Sequence, residues 1–225
     1  MKVKTHVKLA ELAFIKNINN IPKGFSKSMF NFGLVMVDQS WLVKTHPHYM
    51  QHSLEYIKEK IKHLLSIKRF NSYHSIQLGV VVHYLCDFCC YSHINGCIGN
   101  ISYHLKYERE IQKYLLKNFD TLKKSEKNTS ANNMDTTNMK SVSFSSIKNS
   151  IDNVLSNYIN GQHSYLWDIK KCIEISSIVC SAVFALNFAR NSKLHIVRIP
   201  NFIGKIRLNS YNNRSALLNR SVLSK

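Results

Sequence analysis

A chain of 225 residues, 44% of them hydrophobic, can bury one large core and suits a single domain better than two small ones. Seven glycines and three prolines are too few for the many tight turns of a sheet-rich fold, so the composition points to an all-α protein. A formal charge of +18 favours an anionic partner: nucleic acid, an acidic lipid surface or a phosphate ester.

The opening segment MKVKTHVKLAELAF carries Lys8 and Glu11 where a secretory signal needs an apolar run. Reduced thiols and a cytoplasmic location are therefore expected, with membrane association or export by another route as the alternative. Leu9, Leu12, Ala13 and Ile15 predict a helix from about Thr5, with Thr5 as its N-cap and His6 at its start. After a turn over 21–24, the apolar segment MFNFGLVMVDQSWL is broken by one acid, Asp38, which is costly to bury unless a cation or hydrogen bonds compensate it. In KTHPHYMQHSLEYIKEKIKHLL, Pro47 suits the first turn of a helix that turns Tyr49, Ser53, Tyr56, Ile57, Ile61 and Leu64 inward. His46, His48 and His52 crowd its start.

The next segment, SIQLGVVVHYLCDFCCYSH, is hydrophobic on all sides and reads as a central helix buried by its neighbours. Asp87 inside it requires a partner. From here the chain runs His83-x3-Asp87-x5-His93-x10-His104-x3-Glu108. On helices, His83 and Asp87 share a face one turn apart, and His104 and Glu108 repeat that arrangement. His93 falls just past the end of the first helix, free to turn toward a site that the second completes. Imidazole and carboxylate without thiolate is the donor mix of hydrolytic zinc sites. The six cysteines are not spaced like a zinc knuckle, and Cys86 and Cys90 read as small buried hydrophobes.

Past the NGCIGN loop, a helix over His104 to Asn118 presents Leu105, Tyr107, Ile111, Tyr114 and Leu115 as its core side. From about 121 to 146 the composition shifts to Lys, Ser, Asn and Thr, as expected of a mobile insertion. Helices over Ile147 to Ile159 and about Ser164 to Ala189 close the bundle; the uncharged run in the second is shorter than the roughly 20 residues that span a bilayer. The expected organisation is one helical domain over 1–190, followed by a basic tail over 191–225 suited to phosphates or an anionic membrane surface.

The segment LGVVVHYLCDFCCYSHINGCIGNISYHLKYERE resembles the bacterial zinc-dependent phospholipase C family and, more distantly, the fungal single-strand-specific zinc nucleases of the same helical fold. Their metal motif likewise runs His-x3-Asp, His, His-x3-Glu. Between the ligands this chain departs, with Cys86 where the family usually has Gly or Thr and Tyr91 where it often has Pro. The resemblance implies a single-domain helical bundle and two or three zinc ions. Asp38, His48, His83 and Asp87 would hold one and His93, His104 and Glu108 a second. His6 would join Asp87 and the family's terminal amine at a third; the lead of five residues before His6 leaves that amine open. His48 fits the family's remaining histidine best, with His52 in reserve. Asp38 is implied as the catalytic carboxylate that accepts or orients the proton of the attacking water.

These readings converge on a zinc-dependent phosphoric diester hydrolase, a phospholipase C acting on phospholipid headgroups. A nuclease of the same fold is the alternative that the basicity favours, and a non-catalytic metal-binding helical protein is a third.

Overall fold

The structure is a computed structural model, described here for residues 1–15, 20–96, 101–132 and 143–197. Among these residues every regular element is a helix, as the composition requires. They are α1 (Val3–Ala13), α2 (Lys27–Gln39), α3 (Leu42–Thr45), α4 (Met50–Ser66), α5 (Ser72–Phe88), a 3₁₀ helix (Tyr91–Gly96), α6 (Ile101–Asn132), α7 (Phe144–Ile159) and α8 (Tyr165–Val197). The chain divides into a unit over Met1–Phe188, which holds everything discussed below, and one over Ala189–Lys225. The expected basic tail begins within α8, and from 198 onward it lies outside the described residues. None of the described helices is long and apolar enough to cross a membrane.

Helix α5 is the axis of the bundle. Its N-terminus is closed by a capping box: Asn71 Oδ1 accepts from the His74 amide at 3.0 Å, and His74 Nδ1 accepts from the Asn71 amide at 3.2 Å. From Leu78 to Phe88 every residue is buried, which matches its unbroken hydrophobic sequence. It packs against α2, α4 and α1. The crossing with α2 is close because each helix offers a glycine at the contact. A Cβ on Gly33 would overlap the carbonyl of Ile76, and one on Gly79 would overlap the carbonyl of Phe30 and stand 2.9 Å from the Leu34 amide nitrogen.

Several expectations need correction. Helix α1 begins at Val3 with Lys2 as its N-cap, so Thr5 is a buried residue inside it and not its cap. Pro47 lies ahead of α4, whose first residue is Met50, because Tyr49 takes the extended N-cap conformation. Helix α6 runs to Asn132, well into the segment expected to be an insertion. Leu122 is buried against the core, and Lys123 Nζ lies 3.5 Å from Glu11 Oε1 on α1, so an apolar anchor and an ion pair help to hold this polar stretch. Residues 133–142 of the expected insertion lie outside the described residues. Leu105, expected in the core, is exposed, since it stands about 120° around the helix from Ile111.

Asp168, in the first turn of α8, is fully buried. It accepts hydrogen bonds from the Tyr91 amide at 2.9 Å, the Tyr107 hydroxyl at 2.8 Å and the Tyr158 hydroxyl at 2.9 Å. Burial pushes its pKa up from 3.8 to about 6 in spite of these three donors.

Two outcomes follow from this packing. Gly79→Ala should cost about 1–3 kcal/mol of stability, because the atoms in the way are backbone and only helix separation relieves them; the denaturant midpoint measures it. For Asp168, a folded-state pKa above the unfolded one gives stability that is full below about pH 4 and is lost as pH rises through 6. The stability of wild type relative to Asp168→Asn should therefore fall by up to about 3 kcal/mol between pH 4 and 7, read from denaturation curves of both proteins at each pH.

Candidate metal centre

Helix α5 supplies two residues of the centre, His83 and Asp87, both fully buried. Their neighbours come from every side. Asp38 is at the C-terminal end of α2, His48 in the link to α4, His6 on α1, His93 in the 3₁₀ helix, and His104 and Glu108 on α6. Asp87 is the hub. Its Oδ2 lies 2.9 Å from His48 Nδ1 and 3.1 Å from His83 Nε2, and its Oδ1 lies 3.4 Å from His6 Nε2 and 3.7 Å from His93 Nε2. Asp38 Oδ1 closes one end, 3.4 Å from His83 Nε2 and 3.6 Å from His48 Nδ1. Glu108 Oε1 closes the other, 2.8 Å from His104 Nε2 and 3.4 Å from His93 Nε2.

All eight residues singled out in the sequence thus meet in one cluster. His52, the reserve for His48, is exposed and belongs to no ligand group. The His46 ring stacks on Tyr56 with centroids 3.7 Å apart. The group that the sequence left open is the N-terminal amine of Met1. It lies 2.7 Å from Asp87 Oδ1, 3.1 Å from Glu108 Oε1 and 3.3 Å from His93 Nε2. The missing signal was the helix start, since beginning α1 at Val3 leaves Met1 next to the bundle interior.

Backbone carbonyls fix two of the imidazoles. A carbonyl can only accept, so His83 Nδ1–H donates to the Leu34 oxygen at 2.7 Å and His104 Nδ1–H donates to the Ser92 oxygen at 3.2 Å. In both rings Nε2 is then turned toward the carboxylates. This is how metal-binding histidines are held, with one nitrogen anchored and the other presented.

The charges in the cluster require compensation. Burial disfavours the Met1 ammonium, but Asp87 and Glu108 outweigh it and its pKa is pushed up to about 12. Burial likewise opposes charge on His83, yet Asp87 and Asp38 raise it to about 9. Burial and the stacked ring of His83, 4.0 Å away, push His6 down. Burial also lowers His93, whereas the hydrogen bond to Glu108 raises His104. Asp87 and Glu108 would be raised by burial alone; the surrounding amine and imidazoles hold both well below the carboxylate range.

Even so, the nitrogens His6 Nδ1 and Nε2, His48 Nε2, His83 Nε2 and His93 Nδ1 and the oxygen Asp87 Oδ2 are buried without a hydrogen bond. Buried polar atoms are ordinarily satisfied, and so many orphans in one place mark a site shaped for something other than protein. Four sets of donor atoms lie within 4.8 Å of one another: His6, His83 and Asp87; Asp38, His48 and His83; His48, Asp87 and His93; His93, His104 and Glu108. Nitrogen and oxygen donors in overlapping groups of three, without thiolate, fit zinc.

The surroundings differ on the two sides. Ile101 and Leu105, 79% and 47% exposed, flank His104 on α6, and Trp41, 71% exposed, follows Asp38. Tyr91, Tyr103, Tyr107 and Tyr165 line a neighbouring cavity of about 640 Å³. Tyr84, by contrast, is buried and donates to the His46 carbonyl at 2.6 Å. The described cysteines are free, buried core residues.

A helical bundle with this donor set is suited to holding zinc. The sequence model described as zinc dependent phospholipase C matches residues 5–165, and the chain belongs to that family. No curated protein and no solved structure matches the chain.

Proposed function

We propose that the protein is a phospholipase C that hydrolyses the phosphodiester between the glycerol of a phospholipid and its headgroup. The observation that carries the zinc-dependent chemistry is the cluster of buried, unbonded imidazole and carboxylate atoms around Asp87. Asp38, His48, His83 and Asp87 would hold one zinc, and His93, His104 and Glu108 a second. His6 and the Met1 amine would complete a third with Asp87, the amine acting as a neutral donor once its proton has gone. When bound there, zinc supplies Lewis acidity and lowers the pKa of water from 15.7 toward about 7.

The protein's own groups then divide the work. Asp87 and Glu108 are walled in and balance cationic charge. Asp38 is the acid with an open side, its side chain 33% exposed. That open side leaves it free to take the proton of the attacking water. The new bond forms between the water oxygen and phosphorus, the bond to the glycerol oxygen breaks, and that oxygen leaves as an alcohol after taking up a proton. No serine or cysteine nucleophile is required. Support for a lipid substrate comes from Ile101, Leu105 and Trp41, exposed apolar side chains within three residues of His104 or Asp38 in the chain. Single-strand nuclease activity, the second reading, draws on the net charge of +18 and on the exposed Tyr103.

Elemental analysis of purified protein should find two or three zincs per chain, and fewer in His83→Ala and in His104→Ala. A zinc-free wild type after refolding with the metal would remove the hydrolase reading. On zinc-loaded protein, phosphatidylcholine hydrolysis should persist when salt is raised from 50 to 200 mM. Cleavage confined to single-stranded nucleic acid, and weakening by ~10³-fold or more over that range, would identify a nuclease. Turnover of neither substrate nor of an aryl phosphodiester would leave a metal-binding protein without catalysis.

A further inference from the structure

Asp168 lies outside every candidate ligand group, yet it touches two elements that carry them. The Tyr91 amide that donates to its Oδ2 opens the 3₁₀ helix in which His93 sits two residues later. The Tyr107 hydroxyl that donates to the same oxygen belongs to the residue beside Glu108 on α6. A third donor, the Tyr158 hydroxyl on Oδ1, comes from α7, which carries no ligand residue. The carboxylate is fully buried, and burial without these donors would be prohibitive, so the bonds and the fold require each other. Its place in the first turn of α8 also puts it at the positive end of that helix dipole.

We propose that Asp168 is a positioning residue for the metal subset His93, His104 and Glu108, acting through the Tyr91 amide and the Tyr107 hydroxyl. This rests on the zinc reading of the centre. The Tyr91 bond sets where the 3₁₀ helix leaves α5, and so where His93 points. The Tyr107 bond fixes the rotation of α6 about its axis, and with it the face that presents His104 and Glu108. A rotation too small to unfold the helix would still move both donors away from His93, because all three must converge on one point. Partners that orient the ligands typically govern metal affinity by 10–100-fold.

The test is zinc affinity, measured by competition with a chromophoric chelator, for wild type, Asp168→Asn, Tyr107→Phe and Tyr158→Phe. Each tyrosine variant removes one donor to the same carboxylate and keeps the ring. Loss of Tyr107 should weaken the zinc that Glu108→Gln also weakens, by roughly 10-fold or more, and Asp168→Asn should weaken it at least as much. Tyr158→Phe, which loses an equivalent bond to a helix without ligands, should change it less than about 3-fold. Equal effects of the two tyrosine variants would reduce Asp168 to a structural role and overturn the proposal. So would wild-type affinity in Tyr107→Phe. If Asp168→Asn does not fold, the tyrosine pair alone decides. A wild type that binds no zinc overturns the metal reading itself, whereas zinc-replete variants on a zinc-binding wild type overturn only the role of Asp168.

Discussion

The structure depends on placing two carboxylates, Asp87 and Glu108, inside a helical bundle among imidazoles of which His6, His83 and His93 are themselves buried. Neither acid is tolerable there alone, and neutral histidines facing them present lone pair to lone pair. Positive charge has to enter, whether on the Met1 ammonium, on a protonated His83 or on a metal. The rest of the fold serves that requirement. Helix α5 is hydrophobic on all sides so that it can be enclosed, and it is enclosed so that the charges on it face no water. The two carbonyl anchors, from Leu34 and Ser92, hold the imidazoles in the tautomer that offers Nε2 inward.

The two halves of the centre are mounted differently. Asp38 and His83 sit on helices locked backbone to backbone through Gly33 and Gly79, an arrangement with little freedom to slide. His93, His104 and Glu108 sit on a short 3₁₀ helix and on α6, which lack such a lock and are tied down by the tyrosines around Asp168. Rigid packing positions one set of donors and a hydrogen-bond network positions the other.

Much of this was legible in the sequence. The two pairs at four-residue spacing specify their own geometry once they lie on helices, and the uniform hydrophobicity of α5 announces its burial. Asp38 stands out as a lone acid after Val35, Met36 and Val37, although only the family resemblance connects it with His48 and His6. Less legible were features set by tertiary contact. Polar composition over 121–132 reads as a linker, and the helix there rests on Leu122 and on an ion pair to another element. The Met1 amine has no side-chain signature, and its place follows from where α1 starts. Asp168 carries no motif at all; its partners are 77, 61 and 10 residues away in the chain.

Asp87 offers one oxygen to His48 and His83 and the other to His6, His93 and the Met1 amine. A single carboxylate therefore belongs to more than one donor group, and charge drawn toward one of its oxygens is withdrawn from the other. Two cations held around it would be thermodynamically linked: whatever the first did to the affinity for the second, the second would do in equal measure to the first. A centre built this way would load as one coupled unit, its composition at a given metal concentration set by the whole cluster and not by any ligand triad within it.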